Sequence, residues 1–542
     1  HRRAADEDRR IIVSRRGGAA MTENGFRVTY ATMSADDDAL HEAYERGIEE
    51  ARSWLGGRHP FLVNGEPREG EGWRETRSPI DRDVVIGTFA EASKQDMDDA
   101  IATAQGFAPE WATTPWEERV RLLRKAADLI SERRSELSAL MAIEVGKNRL
   151  EALGDVEETA DLIRYYCHEM ERNDGFAKPM GQLSEAEKTR DVMRPYGVWG
   201  VISPFNFPMA LAGGPSGAAL VAGNTLVLKP SGQGYFTGLK LGEALLDAGI
   251  PPAAFQVLPG KGSVAGAALV ADPRLGGITF TGSYEVGMGI YKSFTQDYPR
   301  PVICEMGGKN PVIVTAKADL EKAAEGIKRS AFGFGGQKCS AASRLYVEAP
   351  VRDELVSSLI EKTSEIRIGD PLERDVWLGP VIDEKAVARY AEAVAEARAN
   401  GEVLHGGERL TEGDLARGNF VQPAIVTAPR DSWLWKRELF VPFIAVDAVE
   451  SLDEAVALAN DTEYGLTAGL FSEDQGEIDR FLDGIEAGVV YVNRRAGATT
   501  GAWPGVQPFG GWKGSGTSGK AGGGDYYVQQ FMREQSQTLV AD

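Results

Sequence analysis

The runs VWGVISPFN (198–206), NTLVLKP (224–230), FQVLPG (255–260) and GGITFTGS (276–283) decide the fold. Each is short, rich in β-formers, and ends at Gly, Pro, Ser or Asn, and helical stretches such as TGLKLGEALLDAG (237–249) separate them. Strand, turn and helix in alternation specify a parallel sheet with crossover helices, because parallel neighbours cannot be joined by a tight hairpin. A nucleotide-binding lobe is the natural reading of this stretch.

On the N-terminal side, residues 35–55 and 94–175 carry helical patterns. Leu122, Leu123, Ala126, Leu129 and Ile130 fall on one face, with Arg and Glu elsewhere. Between these regions FLVNGEPREG (61–70) places an Asn64-Gly65 turn between two extended pieces, a hairpin signal. On the C-terminal side, PVIVT (311–315), RLYVEA (344–349), AIVTA (424–428) and FIAVDAV (443–449) alternate with helices near 318–332, 351–364 and 383–399. They imply a second α/β lobe over 311–487. From Gly488 the chain runs through VVYVN and a glycine-rich segment into the extended YYVQQFMREQSQTLV (526–540). Such a strand needs an edge to pair with, and a second subunit is expected to supply it, giving a homodimer or larger homo-oligomer.

A chain of 542 residues has room for two or three lobes, each with its own core. No run approaches the roughly 18 apolar residues of a membrane helix. The formal charge of -21 repels nucleic acid and anionic lipid alike. Cys167, Cys304 and Cys339 are the only cysteines, too few for a disulfide framework, so a reducing, cytoplasmic setting is expected. Residues 1–20 carry paired arginines and end in Gly17-Gly18-Ala19-Ala20 before Met21. They read as a disordered extension rather than a secretory signal, and the acidic run Asp6-Glu7-Asp8 argues against a mitochondrial targeting segment.

Cys339 lies in FGFGGQKCSAASR (332–344), where small residues permit close backbone approach. At a helix start its thiolate would be favoured by unpaired N–H groups. Nucleophilic cysteine chemistry also needs an oxyanion donor and a base. Asn206, held between prolines in SPFNFP (203–208), supplies an amide donor, and Glu305 in CEMGGKNP (304–311) ends a strand where a carboxylate activates water. A buried structural thiol, a turn-forming Asn and a salt-bridged Glu are the bland alternatives.

FNFP around Asn206, TFTGSYEVG around Ser283, EMGGKNP around Glu305, GQKCS around Cys339 and PFGGWKGSG from Pro508 together resemble the aldehyde dehydrogenase superfamily. Their order and spacing match it from about residue 60 to 535. The resemblance implies a Rossmann-type cofactor domain, a second α/β catalytic domain and a small oligomerisation element. On this chain these become 21–310, with 176–194 contributing to oligomerisation, then 311–487, and 488–542 for the substrate-anchor loop and C-terminal oligomerisation segment. It assigns Cys339 to attack on the aldehyde, Asn206 and the Cys339 N–H to the oxyanion, and Glu305 to deacylation. No metal ligand set is expected.

For the cofactor, the resemblance implies NAD held by Ser203, Pro204, Phe205, Lys229, Gly282, Ser283, Glu438 and Phe440. Gly282 and Ser283 end a strand at a helix N-terminus, which offers N–H groups to a pyrophosphate. Gly232 stands where many NAD-specific relatives have a Glu that repels a 2′-phosphate, so NADP is tolerated on this reading. Val441 replaces the glycine that usually precedes the proline of the Glu438 motif.

Within the superfamily, FGFGGQKCSAASR and QPFGGWKGSGTSGKAGGGDYY (507–527) look closest to the L-glutamate γ-semialdehyde dehydrogenases. That resemblance assigns Ser340 and the N–H groups of Gly522 and Gly523 to the substrate's α-carboxylate, and Phe207 to an aromatic wall. Glu158 and Lys338 take supporting roles, and Arg344 and Lys520 add field without direct contact with the substrate. The semialdehyde would be oxidised to glutamate in proline degradation. The alternatives are dehydrogenases of other carboxylated or aliphatic semialdehydes, a CoA-acylating relative, and a noncatalytic binding or structural protein on the same fold.

Overall fold

A computed structural model describes residues 37–540. The expected extension over residues 1–20 lies outside them.

The four runs that opened the sequence form one sheet. Val198–Ile202 lies at its centre, with Thr225–Lys229 and Phe255–Val257 parallel on one side and Leu275–Thr281 and Val302–Glu305 parallel on the other. The chain builds outward in one direction, then crosses back over its first strand, as in a Rossmann-type sheet. The hairpin Phe61–Val63 and Glu66–Arg68 is added antiparallel at the Phe255–Val257 edge. Its turn has Asn64 at φ 52° and Gly65 at φ 79°, the left-handed pair that suits the twist of a tight hairpin.

A second seven-stranded sheet contains Asn310–Val314, Ala342–Glu348, Ala424–Thr427 and Phe443–Val449. It also takes in Val489–Val492, which pairs with Thr467–Phe471 just past residue 487. The helical regions read from the sequence are Asp38–Ser53, then four helices from Lys94 to Arg172. In Trp116–Glu132, Leu122, Leu123, Ala126 and Ile130 are buried, and Leu129 packs against the same core.

The terminal strand Met532–Val540 corrects one expectation. It pairs antiparallel with Glu187–Pro195 of the same chain, from Met532 opposite Pro195 to Val540 opposite Glu187, and Ala177–Pro179 completes the sheet. The edge it needs therefore comes from within the chain. No described helix is long and apolar enough to cross a membrane.

Candidate active site

In a parallel sheet all the C-terminal strand ends lie along one edge, and ligands collect where the strand order reverses. Here that edge carries the Ser203–Pro208 loop after Val198–Ile202, Lys229 at the end of its strand, Gly282 and Ser283 after Leu275–Thr281, and Glu305 ending Val302–Glu305. The glycine-rich C-terminal segment clamps the last of these ends. Met306 N–H donates to Ser515 O at 2.9 Å, and Ser515 Oγ donates to Gly307 O at 2.6 Å.

Cys339 arrives from the second sheet. The helix Leu320–Phe332 breaks into a tight turn in which Phe334, Gly335 and Gly336 all have positive φ. A Cβ on Gly336 would stand 2.4 Å from Val441 O, so only glycine fits. Cys339 follows in a turn that enters the strand Ala342–Glu348, and not at a helix start as the sequence suggested. The turn is fixed by its carbonyls. Asn310 Nδ2 donates to Cys339 O at 2.7 Å and to Ala341 O at 2.9 Å, and the Thr499 hydroxyl donates to Ser340 O at 2.6 Å. Burial pushes the Cys339 thiol upward, the Glu438 and Glu305 charges add to this, and the N–H groups of Ser340 and Cys339 oppose it.

A cavity of about 210 Å³ joins these parts, with Cys339, Ser340, Glu305, Phe207, Gly522 and Gly523 in its wall. Glu158 and Lys338 line it too. Asn206 is 3% exposed and immediately precedes Phe207. Burial pushes the Glu305 carboxyl up to about 8, and its Oε2 has no hydrogen-bond partner among the described residues. One cavity thus holds a nucleophile and a carboxyl whose proton affinity suits acid and base work near neutral pH.

The comparisons with known proteins agree with this arrangement. The aldehyde dehydrogenase family profile matches residues 67–536. This chain belongs to the aldehyde dehydrogenase family. A 1-pyrroline-5-carboxylate dehydrogenase of Bacillus cytotoxicus is 38% identical over 505 residues, 92% of this chain and 96% of that protein. The solved structure of 1-pyrroline-5-carboxylate dehydrogenase from Thermus with bound NAD has a TM-score of 0.90 at 33% identity, covering 96% of this chain and 100% of that one. Proline utilization A from Bdellovibrio bacteriovorus has a TM-score of 0.87 at 35% identity, covering 92% of this chain and 52% of that one.

The residues that an aldehyde dehydrogenase would turn to its dinucleotide fit such a group. Ser203 Oγ is buried without a partner among the described residues. Ser283 caps the helix Tyr284–Phe294, whose first N–H groups open toward the strand ends. Lys229 is 6% exposed, and burial with the nearby Arg74 charge lowers it to about 8. Phe205 and Phe440 meet edge to face with ring centres 6.0 Å apart. Phe440 has φ 57°, and Glu438 Oε1 accepts from Gly308 N–H at 2.9 Å. Burial raises the Glu438 carboxyl to about 7.

One expectation about the substrate end of this aldehyde dehydrogenase needs correction, that of free N–H groups in the glycine-rich loop. Gly522 and Gly523 do line the cavity, but their N–H groups are already committed, to Phe509 O at 2.8 Å and to Tyr166 Oη at 3.0 Å. Arg344 is 1% exposed and donates to the carbonyls of Lys309, Leu458 and Ala459, and neither it nor the exposed Lys520 lines the cavity. The wall carries Arg494 instead, which donates to the carbonyls of Gly497, Thr500 and Gly501. Lys338 pairs with Glu151 at 2.7 Å.

Sequence reasoning missed Lys147 and Asp155, a fully buried ion pair at 2.8 Å. The Lys147 ammonium is 3.6 Å from the Phe207 ring centre, and Asp155 accepts from Ala210 N–H at 2.7 Å where the next helix begins. Together they brace the Asn206–Phe207 loop from beneath. Tyr166 and Tyr527, stacked with ring centres 5.2 Å apart, were missed as well. Spacing did hold a signal, since Glu158, Leu162 and Tyr166 recur at i, i+4 and i+8 and all line the cavity.

Proposed function

We propose that this enzyme oxidises L-glutamate γ-semialdehyde, the open form of 1-pyrroline-5-carboxylate, to L-glutamate, the second oxidation of proline degradation. The observation that carries the reading is the cavity that joins Cys339 and Glu305 to Ser340 and the cationic Arg494. The similarity to 1-pyrroline-5-carboxylate dehydrogenases over 92% of the chain supports it.

Cys339, its thiol proton given up to solvent, attacks the aldehyde carbon through Sγ. The carbonyl oxygen becomes an oxyanion held by the Asn206 amide and the Cys339 N–H. A nicotinamide cofactor held beside Cys339 would supply the acceptor for the hydride of that carbon, and Cys339 would retain the oxidised carbon as a thioester. Glu305 then takes a proton from water as the water attacks the thioester. The carbon–sulfur bond breaks, the sulfur is reprotonated, and the acid departs. The buried, unpaired Glu305 oxygen is suited to taking this proton from water and returning it to the departing sulfur.

The cofactor on this reading is NAD, with NADP accepted. Arg74 lies against Gly232, where an added Cβ would stand 2.6 Å from its Nη1. A guanidinium therefore occupies the space of an acidic side chain. The enzyme is further proposed to be a cytoplasmic homo-oligomer. The three cysteines are free, and the terminal three-stranded sheet and its adjoining loop expose Met180, Leu183, Leu539 and Val540. Sedimentation velocity would show a dimer or larger, and a monomer at micromolar concentration would remove that part of the proposal.

The test of the activity is a side-by-side assay with glutamate γ-semialdehyde and pentanal. The charged substrate should have the higher kcat/KM by at least about 100-fold, since remote binding energy orients the carbonyl over Cys339. Equal values would reduce the reading to a general aldehyde dehydrogenase.

A further inference from the structure

Asn310 opens the strand Asn310–Val314 beside Ala342 and is 1% exposed. Its Oδ1 accepts from Thr467 N–H at 3.0 Å, which fixes the other end of the amide as the donor, since an N–H cannot accept. That end donates to Cys339 O at 2.7 Å and to Ala341 O at 2.9 Å. Gly308 clears the approach, for a Cβ there would stand 2.4 Å from Cys339 O and 2.8 Å from Asn310 Nδ2. One small side chain, itself held by the backbone, thus holds two carbonyls around the thiol.

The consequence lies on the far side of the peptide plane. Cys339 takes the second position of a turn closed by Ala341 N–H on Lys338 O at 3.0 Å. In a trans peptide the C=O and the following N–H point in opposite directions. Asn310 draws the Cys339 carbonyl to one side and so turns the Ser340 N–H to the other, where it meets the Cys339 sulfur. Thr499 marks the contrast. Its hydroxyl donates to Ser340 O at 2.6 Å, but that carbonyl shares its peptide with the Ala341 N–H, which is spent on closing the turn.

The charged groups around the thiol give it little help. Burial opposes its ionisation, and so do Glu438, ahead of Phe443–Val449, and Glu305, at the end of Val302–Glu305. Tyr491, on Val489–Val492, is kept neutral by burial, and Glu158 adds a carboxyl to the cavity wall. The cations of that wall are turned elsewhere. Lys338 pairs with Glu151, Arg329 with Glu325, and Arg494 donates to the carbonyls of Gly497, Thr500 and Gly501. What favours the thiolate is the pair of N–H groups of Ser340 and Cys339.

We propose that Asn310 is the positioning residue that makes Cys339 a nucleophile, by clamping the Cys339 carbonyl so that the Ser340 N–H faces the sulfur. The thiol proton leaves to solvent, and the N–H stabilises the charge that stays on sulfur. The inference rests on Cys339 as the thiol of the proposed oxidation and names the side chain that orients its peptide.

Ionisation of Cys339 is read without cofactor or aldehyde, as the ultraviolet absorbance of the thiolate in the parent minus that in Cys339→Ala, titrated upward in pH. In Asn310→Ala the pH at which the thiolate appears should rise by about one unit, the size of a weakened hydrogen bond to a charged group. Alkylation of Cys339 by iodoacetamide at neutral pH should slow about tenfold in parallel. Asn310→Ser keeps one short donor, serves where Asn310→Ala does not fold, and should shift less in the same direction. Thr499→Val loosens the same turn and should leave the thiolate where it is in the parent. No shift in either Asn310 variant would overturn the proposal. An equal shift in Thr499→Val would overturn it too, as a general loosening of the turn. Unshifted Asn310 variants of a parent that needs Cys339 for turnover would remove this inference alone, whereas full turnover in Cys339→Ala would remove the nucleophile on which both readings rest.

Discussion

The Lys147 ammonium lies 2.8 Å from the Asp155 carboxylate, both side chains fully buried, and 3.6 Å from the centre of the Phe207 ring. A buried ion pair is a poor source of net stability, yet breaking it from one side is expensive because the remaining charge is stranded.

Lys147→Met should therefore destabilise the fold by about 3–5 kcal/mol, read from denaturant unfolding. Refolded at low temperature, it should also lose kcat, because the Asn206–Phe207 loop rests on the pair. A loss below about 1 kcal/mol, the range of an exposed pair, would mean that the two charges are not coupled as described.

Glu305 sets a pH dependence. Its carboxyl is raised to about 8 by burial, so it is mostly protonated at neutral pH and becomes a base as pH rises through that value. The deacylation rate should climb between about pH 7 and 9 and then level off, and Glu305→Gln should be slow and flat over the same window. Stability runs the other way. A folded-state value above the unfolded 4.5 favours the folded state fully below that pH, and the contribution is lost as pH rises through about 8. Glu305→Gln should accordingly gain Tm relative to the parent as pH increases, and a constant difference would refute the burial of this carboxyl.

Arg74 guards the space at Gly232. Its contacts with Glu91 are long, 3.9 Å, and its side chain is 43% exposed, so the guanidinium is available to a 2′-phosphate. Arg74→Ala should weaken NADP binding about tenfold or more and leave NAD binding within about twofold, measured as cofactor Kd by fluorescence titration. Equal loss for both cofactors would assign Arg74 to structure.

Much of this was legible in the sequence because the signals are local. The Asn64-Gly65 hairpin, the strand-turn-helix order and the placing of Glu305 at a strand end each depend on a few adjacent residues. What was not legible depends on partners far apart in the chain. The terminal strand read as needing a second subunit, because nothing in Met532–Val540 points to Glu187–Pro195. Cys339 read as a helix start, because a glycine run does not declare which residues take positive φ, and Phe334 is among them. The Gly522 and Gly523 N–H groups read as free, because Tyr166 and Phe509 reach them only through the fold.

The central claim is that Cys339 carries the oxidised substrate as a thioester that Glu305 hydrolyses. Mass spectrometry of Glu305→Gln, quenched after mixing with glutamate γ-semialdehyde and NAD, tests it most directly. The account predicts a mass increase equal to one glutamyl acyl group, confined to the peptide containing Cys339, released by hydroxylamine and absent from Cys339→Ala. Reduced cofactor formed without any acylated protein, or acylation that persists in Cys339→Ala, would contradict it.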